Sequence, residues 1–144
     1  MELADLIKKV EELTSPDRDI DAAVGRCVGM EVRDFRGFYR VKGEGGWVVL
    51  ADYTTSVDAV IQLIGEKLPG WAVSLYREPF VAPRWTASVT SPGAQWDEAP
   101  GQGGIERSLI SGVRGMGVQK STPALALLLA FLRAWETSAP SPKD

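Results

Sequence analysis

The sequence predicts an α/β domain of the α+β type, in which a mainly antiparallel sheet is sandwiched between helical layers. Apolar residues recur at helical spacing near both termini and mid-chain, while residues 35–50 and 71–90 show strand patterns. A length of 144 residues, 44% of them hydrophobic and 24% charged, fits one globular core. We therefore expect one domain over residues 1–137, with a long loop over 91–104, and a flexible tail over 138–144.

Two helices are predicted at the N-terminus. Residues 2–13 place leucine, isoleucine and valine on one helical face, and lysine and glutamate on the other. The second helix is expected to begin with Ser15 as its N-cap and Pro16 at its first position. The acidic residues that follow suit a helix N-terminus, so we interpret them as solvent-facing carboxylates and not as a metal or acid–base site: Asp17, Asp19 and Asp21.

A β-hairpin and a third helix come next. Aromatic and β-branched residues occupy positions 35–42, glycines cluster at 43–46, and residues 47–50 are apolar, which together predict two paired strands. The third helix is expected to have Thr55 as its N-cap, with Asp58 completing a capping box. Its predicted core face consists of Val57, Val60, Ile61 and Ile64.

The second half of the chain predicts more strands and one apolar helix. Strands are expected over 71–77 and 84–90, a loop over 91–104, and a further strand over 105–113, with a bend at 115–117.

The last helix has Thr122 as its predicted N-cap and Pro123 at its first position. Residues 124–135 are apolar on nearly every face, which predicts either a central helix between layers or a subunit interface.

Composition excludes several kinds of chemistry. The chain has no histidine and one cysteine, so a Ser-His-Asp triad, a Cys-His dyad and a His-ligated zinc site cannot be built from it. A P-loop is disfavoured because Lys120 stands too far beyond Gly117. We therefore predict a protein that is not an enzyme and has no cofactor and no bound metal.

Two segments carry candidate binding residues. In an extended strand, Arg36, Phe38, Arg40 and Lys42 would share one side, with Phe35, Gly37, Tyr39 and Val41 on the other. Such a face could bind an anionic group, or it could be an ordinary solvated sheet face. Trp96 lies in the predicted loop and would either contact a partner or fold back over the core. The candidates are Trp96, Arg36, Arg40, Arg107 and Arg114.

Charge and hydropathy bear on location and partners. The net charge of −3 disfavours nucleic acid as a partner. The N-terminus lacks the apolar run of a signal peptide, and the longest apolar stretch, residues 123–132, is too short to cross a membrane. We expect a soluble, cytoplasmic protein.

Three short stretches resemble the phage ABA sandwich domain, a family of small phage and prophage proteins. They are Asp19-Ile-Asp-Ala-Ala-Val-Gly-Arg-Cys-Val-Gly29, Tyr53-Thr-Thr-Ser-Val-Asp-Ala59, and Thr122-Pro-Ala-Leu-Ala-Leu127 running on to Leu132-Arg-Ala134. The resemblance implies a sheet between helical layers and a phage origin, hence the host cytoplasm. It implies no reaction, ligand or catalytic residue.

The resulting functional hypothesis is a non-enzymatic phage accessory protein that binds a protein partner through Trp96 or the last helix. Modulation of host defence is one role that would fit. The alternative is a small-molecule binder that sequesters a host nucleotide, with Arg36, Arg40, Arg107 or Arg114 on its anionic groups. A homo-oligomer is left open.

Overall fold

The computed structural model describes residues 1–78, 84–97, 108–119 and 122–138. Its helices are α1 (Leu3–Glu12), α2 (Arg18–Cys27), α3 (Val57–Lys67) and α4 (Pro123–Ser138). Its strands are β1 (Val32–Phe35), β2 (Phe38–Gly43), β3 (Gly46–Val49), β4 (Ala72–Glu78), β5 (Arg84–Thr90), β6 (Gln95–Asp97), β7 (Ser108–Ser111) and β8 (Arg114–Gln119).

Within the described residues, the strands form three antiparallel sheets. The first sheet has the order β1-β2-β3, the second has the order β4-β5-β8, and β6 pairs with β7. The predicted α+β class with antiparallel pairing is therefore confirmed. The expectation of one shared sheet is wrong, because the early hairpin and the strands near residues 71 and 84 belong to separate sheets.

Helix α4 lies at the centre of the core. Its residues 124–132 are at most 1% exposed, and it packs on β8 and β5 on one side and on α1 and α3 on another. Thr122 caps it as predicted, since its hydroxyl accepts the amide N–H of Leu125 at 3.2 Å. Of the two alternatives for this apolar helix, the central position is the observed one. None of the helices in the described ranges has the length and hydropathy that a membrane span requires.

Two predicted helix starts are wrong by one or two residues. The N-cap of α2 is Asp17, not Ser15, because the Asp17 carboxylate accepts two amide N–H groups of the first turn at 2.9 and 3.3 Å. The N-cap of α3 is Ser56, not Thr55, and its hydroxyl accepts an amide at 3.1 Å.

The predicted core face of α3 is also partly wrong. Ile61 is 46% exposed, while Leu63 is 2% exposed. Leu63 follows Val60 by three residues and therefore occupies the same helical face, so the buried stripe runs through these two and Ile64.

Predictions for residues 91–119 need three corrections. The loop over 91–104 contains β6, and its remaining residues from 98 onward lie outside the described residues. Of the strand predicted over 105–113, residues 108–111 form β7, residues 112 and 113 are not in a strand, and residues 105–107 lie outside the described residues. The bend predicted at 115–117 is the middle of β8, where glycines are needed because the strand lies against α4: a Cβ on Gly117 would come 2.1 Å from the Ala126 carbonyl oxygen. Of the tail predicted over 138–144, Ser138 is the last residue of α4, and residues 139–144 lie outside the described residues.

Candidate functional site

A tight turn determines which side chains of the first sheet lie together. Arg36 and Gly37 connect β1 to β2 with φ angles of +56° and +91°, the sign that a two-residue hairpin turn requires. The Gly37 N–H donates to Asp34 Oδ1 at 2.6 Å. Since the turn has only two residues, Phe35 lies directly opposite Phe38. The two rings therefore share a face, and Arg36 lies at the tip of the hairpin.

One face of this sheet points toward α2, and the opposite face, which we call the outer face, points away. Tyr39 is on the α2 side: its hydroxyl donates to Asp19, and the Arg26 guanidinium lies 5.9 Å from its ring centre. Residues directly opposite one another in a sheet share a face. The cross-strand register thus assigns to the outer face Arg33, Phe35, Phe38, Arg40, Lys42, Trp47 and Val49.

The outer face exposes an unusual amount of apolar surface. The exposed fraction is 72% for Phe38, 67% for Val49 and 41% for Phe35. The solvent side of an antiparallel sheet is ordinarily polar. Trp47 is half-buried because Phe35 packs edge-on against it at 5.5 Å between ring centres, and the Arg33 guanidinium lies 5.0 Å from its ring. A cation and two rings thus pack together on this face.

Positive charge predominates on the outer face. Arg33 and Lys42 each lie near the carboxylate of Glu31, at 3.7 and 3.9 Å, with all three side chains about half exposed or more. Such exposed pairs contribute little stability and are easily exchanged for other partners. Arg40 contacts no carboxylate within the described ranges. The face therefore presents three cations against one carboxylate on a chain whose net charge is −3.

A buried cluster of polar side chains at the start of α2, away from the outer face, has a structural role. Asp21 is fully buried and accepts the N–H and the hydroxyl of Thr54, each at 2.8 Å, and a hydrogen bond from Arg18 at 2.9 Å. Burial raises the pKa of the Asp21 carboxyl, and the three donors oppose that rise. Since Arg18 also donates to the Leu50 carbonyl, the cluster joins α2 to the segment before α3. The prediction that Asp21 faces solvent is wrong.

A second exposed apolar area lies on the side of the second sheet that faces away from α4. It includes Tyr76, Met116 and Val118, which are 37–49% exposed. Arg84 on this side is paired with Glu78. Among the described residues, this surface does not show the edge-on ring pair and the excess of cations found on the outer face.

The structure separates the residues that the sequence grouped as candidates. Arg40 lies on the outer face and Arg36 at the hairpin tip. Arg114 lies half-buried in β8 of the second sheet. The backbone of Trp96 lies in β6, and Arg107 is outside the described residues.

The predicted alternation of the first hairpin is therefore partly wrong. Arg36 does not share the side of Phe38 and Arg40, and Phe35 does, because the chain turns at residues 36 and 37 instead of continuing as a strand. Sequence reasoning missed Arg33 and Trp47 on this face. The signal that could have found Arg33 is Gly37, because glycine readily adopts the positive φ that a two-residue hairpin turn requires and the Arg36-Gly37 pair separates Phe35 from Phe38.

Comparison with known proteins finds no matching family model, no matching curated protein and no matching solved structure. The resemblance to the phage ABA sandwich family thus stays a prediction. In the part of the chain that the structure describes, no group of three or more cysteine, aspartate or glutamate side chains is placed to hold a metal ion. The outer face is the candidate site that the geometry defines.

Proposed function

We propose that this chain is a non-enzymatic binding protein whose outer face contacts an acidic surface of a partner protein. The observation that carries the proposal is the grouping of three aromatic rings with three cations on an exposed sheet face. Tryptophan and arginine are the residue types that contribute most to the energy of protein interfaces, and aromatic residues in general are enriched there. The proposed contact is on the first sheet, whereas the sequence alone suggested Trp96 or the last helix.

The charges of the outer face favour a partner with carboxylates. Arg40 has no carboxylate contact in the described ranges, and Arg33 and Lys42 share the single carboxylate of Glu31. An acidic partner surface would supply the missing acceptors for charge-assisted hydrogen bonds. A long polyanion such as nucleic acid would also meet the negative field of the whole chain. Salt screens the interaction between exposed charges beyond the Debye length, which is roughly 8 Å at physiological ionic strength. A compact acidic patch that contacts the outer face therefore interacts mainly with the cations of that face.

The biological setting of this binding comes from the resemblance alone. It supports an accessory role for a phage or prophage protein in the host cytoplasm, where modulation of host defence is one such role. The outer face would then bind a host or phage protein.

Binding of defined peptides tests the proposal. The probe is a fluorescein-labelled peptide in which glutamate alternates with phenylalanine, compared with the same peptide carrying lysine in place of glutamate. We expect the wild-type chain to bind the acidic peptide and not the basic one, with binding weakened by salt. In the R40E/K42E variant we expect at least a tenfold loss of affinity, about 1.4 kcal/mol, by fluorescence anisotropy.

A matched control variant reverses the charge of two exposed lysines on α1. Lys8 and Lys9 lie exposed on α1, so the K8E/K9E variant changes the net charge by the same amount without touching the outer face. An equal loss of affinity for the acidic peptide in R40E/K42E and in K8E/K9E would show that the net charge, and not the outer face, governs binding. Absence of binding to the acidic peptide by the wild-type chain would also contradict the proposal.

An anionic small molecule such as a nucleotide is a second candidate ligand. Phe38 is 72% exposed and lies two residues from Arg40 on the same face, so a base could stack on the ring while the guanidinium binds a phosphate. A ligand that binds only the folded chain raises its melting temperature. A nucleotide that raises this temperature in the wild-type chain and not in the F38A variant would favour this candidate. No shift with any nucleotide would exclude it.

A further inference from the structure

We infer that β3 pairs, antiparallel, with β3 of a second copy of this chain. β3 is an edge strand of the first sheet, and among the described elements its main neighbour is β2. An open edge presents unpaired backbone N–H and C=O groups that can extend the sheet. The inference does not rest on the proposed function, because it is argued from the backbone groups of the edge strand, although Trp47 and Val49 of this strand also belong to the outer face.

The hydrogen-bond pattern shows which backbone groups point outward from β3. In an antiparallel pair, residues that exchange hydrogen bonds alternate with residues that do not. Leu50 donates its N–H to the Tyr39 carbonyl, and in the same register Val48 lies opposite Val41. Val48 therefore directs its backbone groups to β2, whereas Trp47 and Val49 direct theirs away. No backbone partner is found for these outward groups in the described part of the chain.

The side chains of β3 do not protect this edge. The strand is Gly46-Trp-Val-Val49, without proline and without charge, and Val48 and Val49 are 53% and 67% exposed on its two sides. Natural edge strands are usually protected by charged residues, proline or bulges.

The other edges of the two three-stranded sheets carry such protection. β1 contains Arg33 and Asp34, and β4 contains Arg77 and Glu78. β8 contains a charged residue of its own and also receives a hydrogen bond from Arg133 on the Met116 carbonyl. Among these four edges, β3 is the one without a charged side chain.

The sequence of β3 suits pairing with itself. A two-fold axis through Val48 places Val48 opposite its copy, and Trp47 opposite Val49 of the second copy. Since Trp47 and Val49 are the residues whose backbone groups point outward, each of the two Trp47–Val49 pairs exchanges two hydrogen bonds. The resulting cross-strand contacts are aromatic with β-branched on one side and valine with valine on the other, both of which stabilise sheets. No like charges meet across this edge.

Pairing of this kind has a geometric consequence. Antiparallel pairing through a two-fold axis perpendicular to the sheet gives one continuous sheet of six strands. The outer faces of both copies then lie on the same side, so their cations and rings form one extended surface.

The test is the molar mass of the full chain by sedimentation equilibrium, from about 1 to about 500 µM, because self-association depends on concentration. We expect the mass to rise from 15.6 kDa toward twice that value. The V49P variant should stay a monomer, because proline removes an outward N–H and leaves the bonds to β2 in place. The V48K variant should also stay a monomer, since it would place two lysines opposite each other. As a control, I61K adds a lysine at an exposed position of α3 and should dimerise like the wild type.

A mixing experiment tests the two-fold axis itself. V48K and V48E should each be monomeric alone and should form a dimer when mixed, because opposite charges then meet at position 48. Circular dichroism of each variant establishes that it is folded before its mass is interpreted.

Three results would overturn the inference. The first is a wild-type chain that stays monomeric at every concentration, even if β3 were found to accept a strand from another protein. The second is a dimer that persists in folded V49P or V48K. The third is the absence of a dimer when V48K and V48E are mixed.

Discussion

The contact between β8 and α4 gives the sharpest stability prediction. A Cβ added at Gly117 would lie 2.1 Å from the Ala126 carbonyl oxygen and 2.8 Å from the Ala130 nitrogen. Carbon and carbonyl oxygen in favourable contact are about 3.3 Å apart or more. The G117A variant therefore requires the strand and the helix to separate by roughly 1 Å. The atoms involved belong to the backbone of a helix that is buried on several sides, so no side-chain rotation can relieve the overlap.

The expected cost follows from this separation. Gaps of 0.5–1 Å forfeit about a quarter to a half of the contact energy along an interface. Ordinary overpacking costs about 1–3 kcal/mol, and here the whole contact between α4 and β8 must open, so we expect at least about 3 kcal/mol. The total free energy of unfolding of a domain is about 5–15 kcal/mol. At about 2–4 °C per kcal/mol, the melting temperature should fall by roughly 6–12 °C.

Urea unfolding of G117A, followed by far-UV circular dichroism, measures this loss. The matched control is G65A, because Gly65 lies exposed in α3 with nothing within 4 Å of an added Cβ. Alanine is favoured over glycine in a helix by about 1 kcal/mol, so G65A should be slightly more stable than the wild type. A G117A chain within about 1 kcal/mol of the wild type would refute the close approach of β8 to α4.

Two further predictions concern the start of α2. D17A removes the side chain that caps the helix and should lower the free energy of unfolding by about 1 kcal/mol, with D17N close to wild type, as measured by urea unfolding. Asp21 has a raised pKa in the folded chain, so between its unfolded and folded pKa values the folded state binds more protons than the unfolded state. Its contribution to stability should therefore fall as the pH rises from about 4 through the raised pKa. The stability difference between wild type and D21N, measured across this range, should decrease with pH; a difference that grows with pH would show that Thr54 and Arg18 outweigh burial.

Much of the fold was predictable because its signals are local. The spacing of apolar residues in α1, the Thr122-Pro123 start of α4 and the glycine cluster between β2 and β3 each depend on neighbouring residues. The prediction was weakest at residues 115–117. Two glycines close together indicate a bend when read locally, and only the approach of α4 explains why they lie in a strand.

The candidate site was only partly predictable for the same reason. Arg40 and Phe38 share a face because they are two residues apart in one strand, which the sequence shows. Arg33 and Trp47 join them from neighbouring strands, and that requires the register of three strands. For Asp21 the prediction from the sequence was a solvent-facing carboxylate. The side chain is buried instead, because it accepts a hydrogen bond from Thr54, which lies 33 residues further along the chain.

By itself the sequence determined the class of fold, the positions of most helices and strands, and the absence of histidine-based chemistry. These follow from residue types and from periodicity along a single element. The tertiary structure alone decided the division of the strands into separate sheets, the central position of α4, the membership of the outer face and the open edge at β3. Each of these depends on which distant segments come into contact, and pairing across strands is not encoded in the pattern of any one strand.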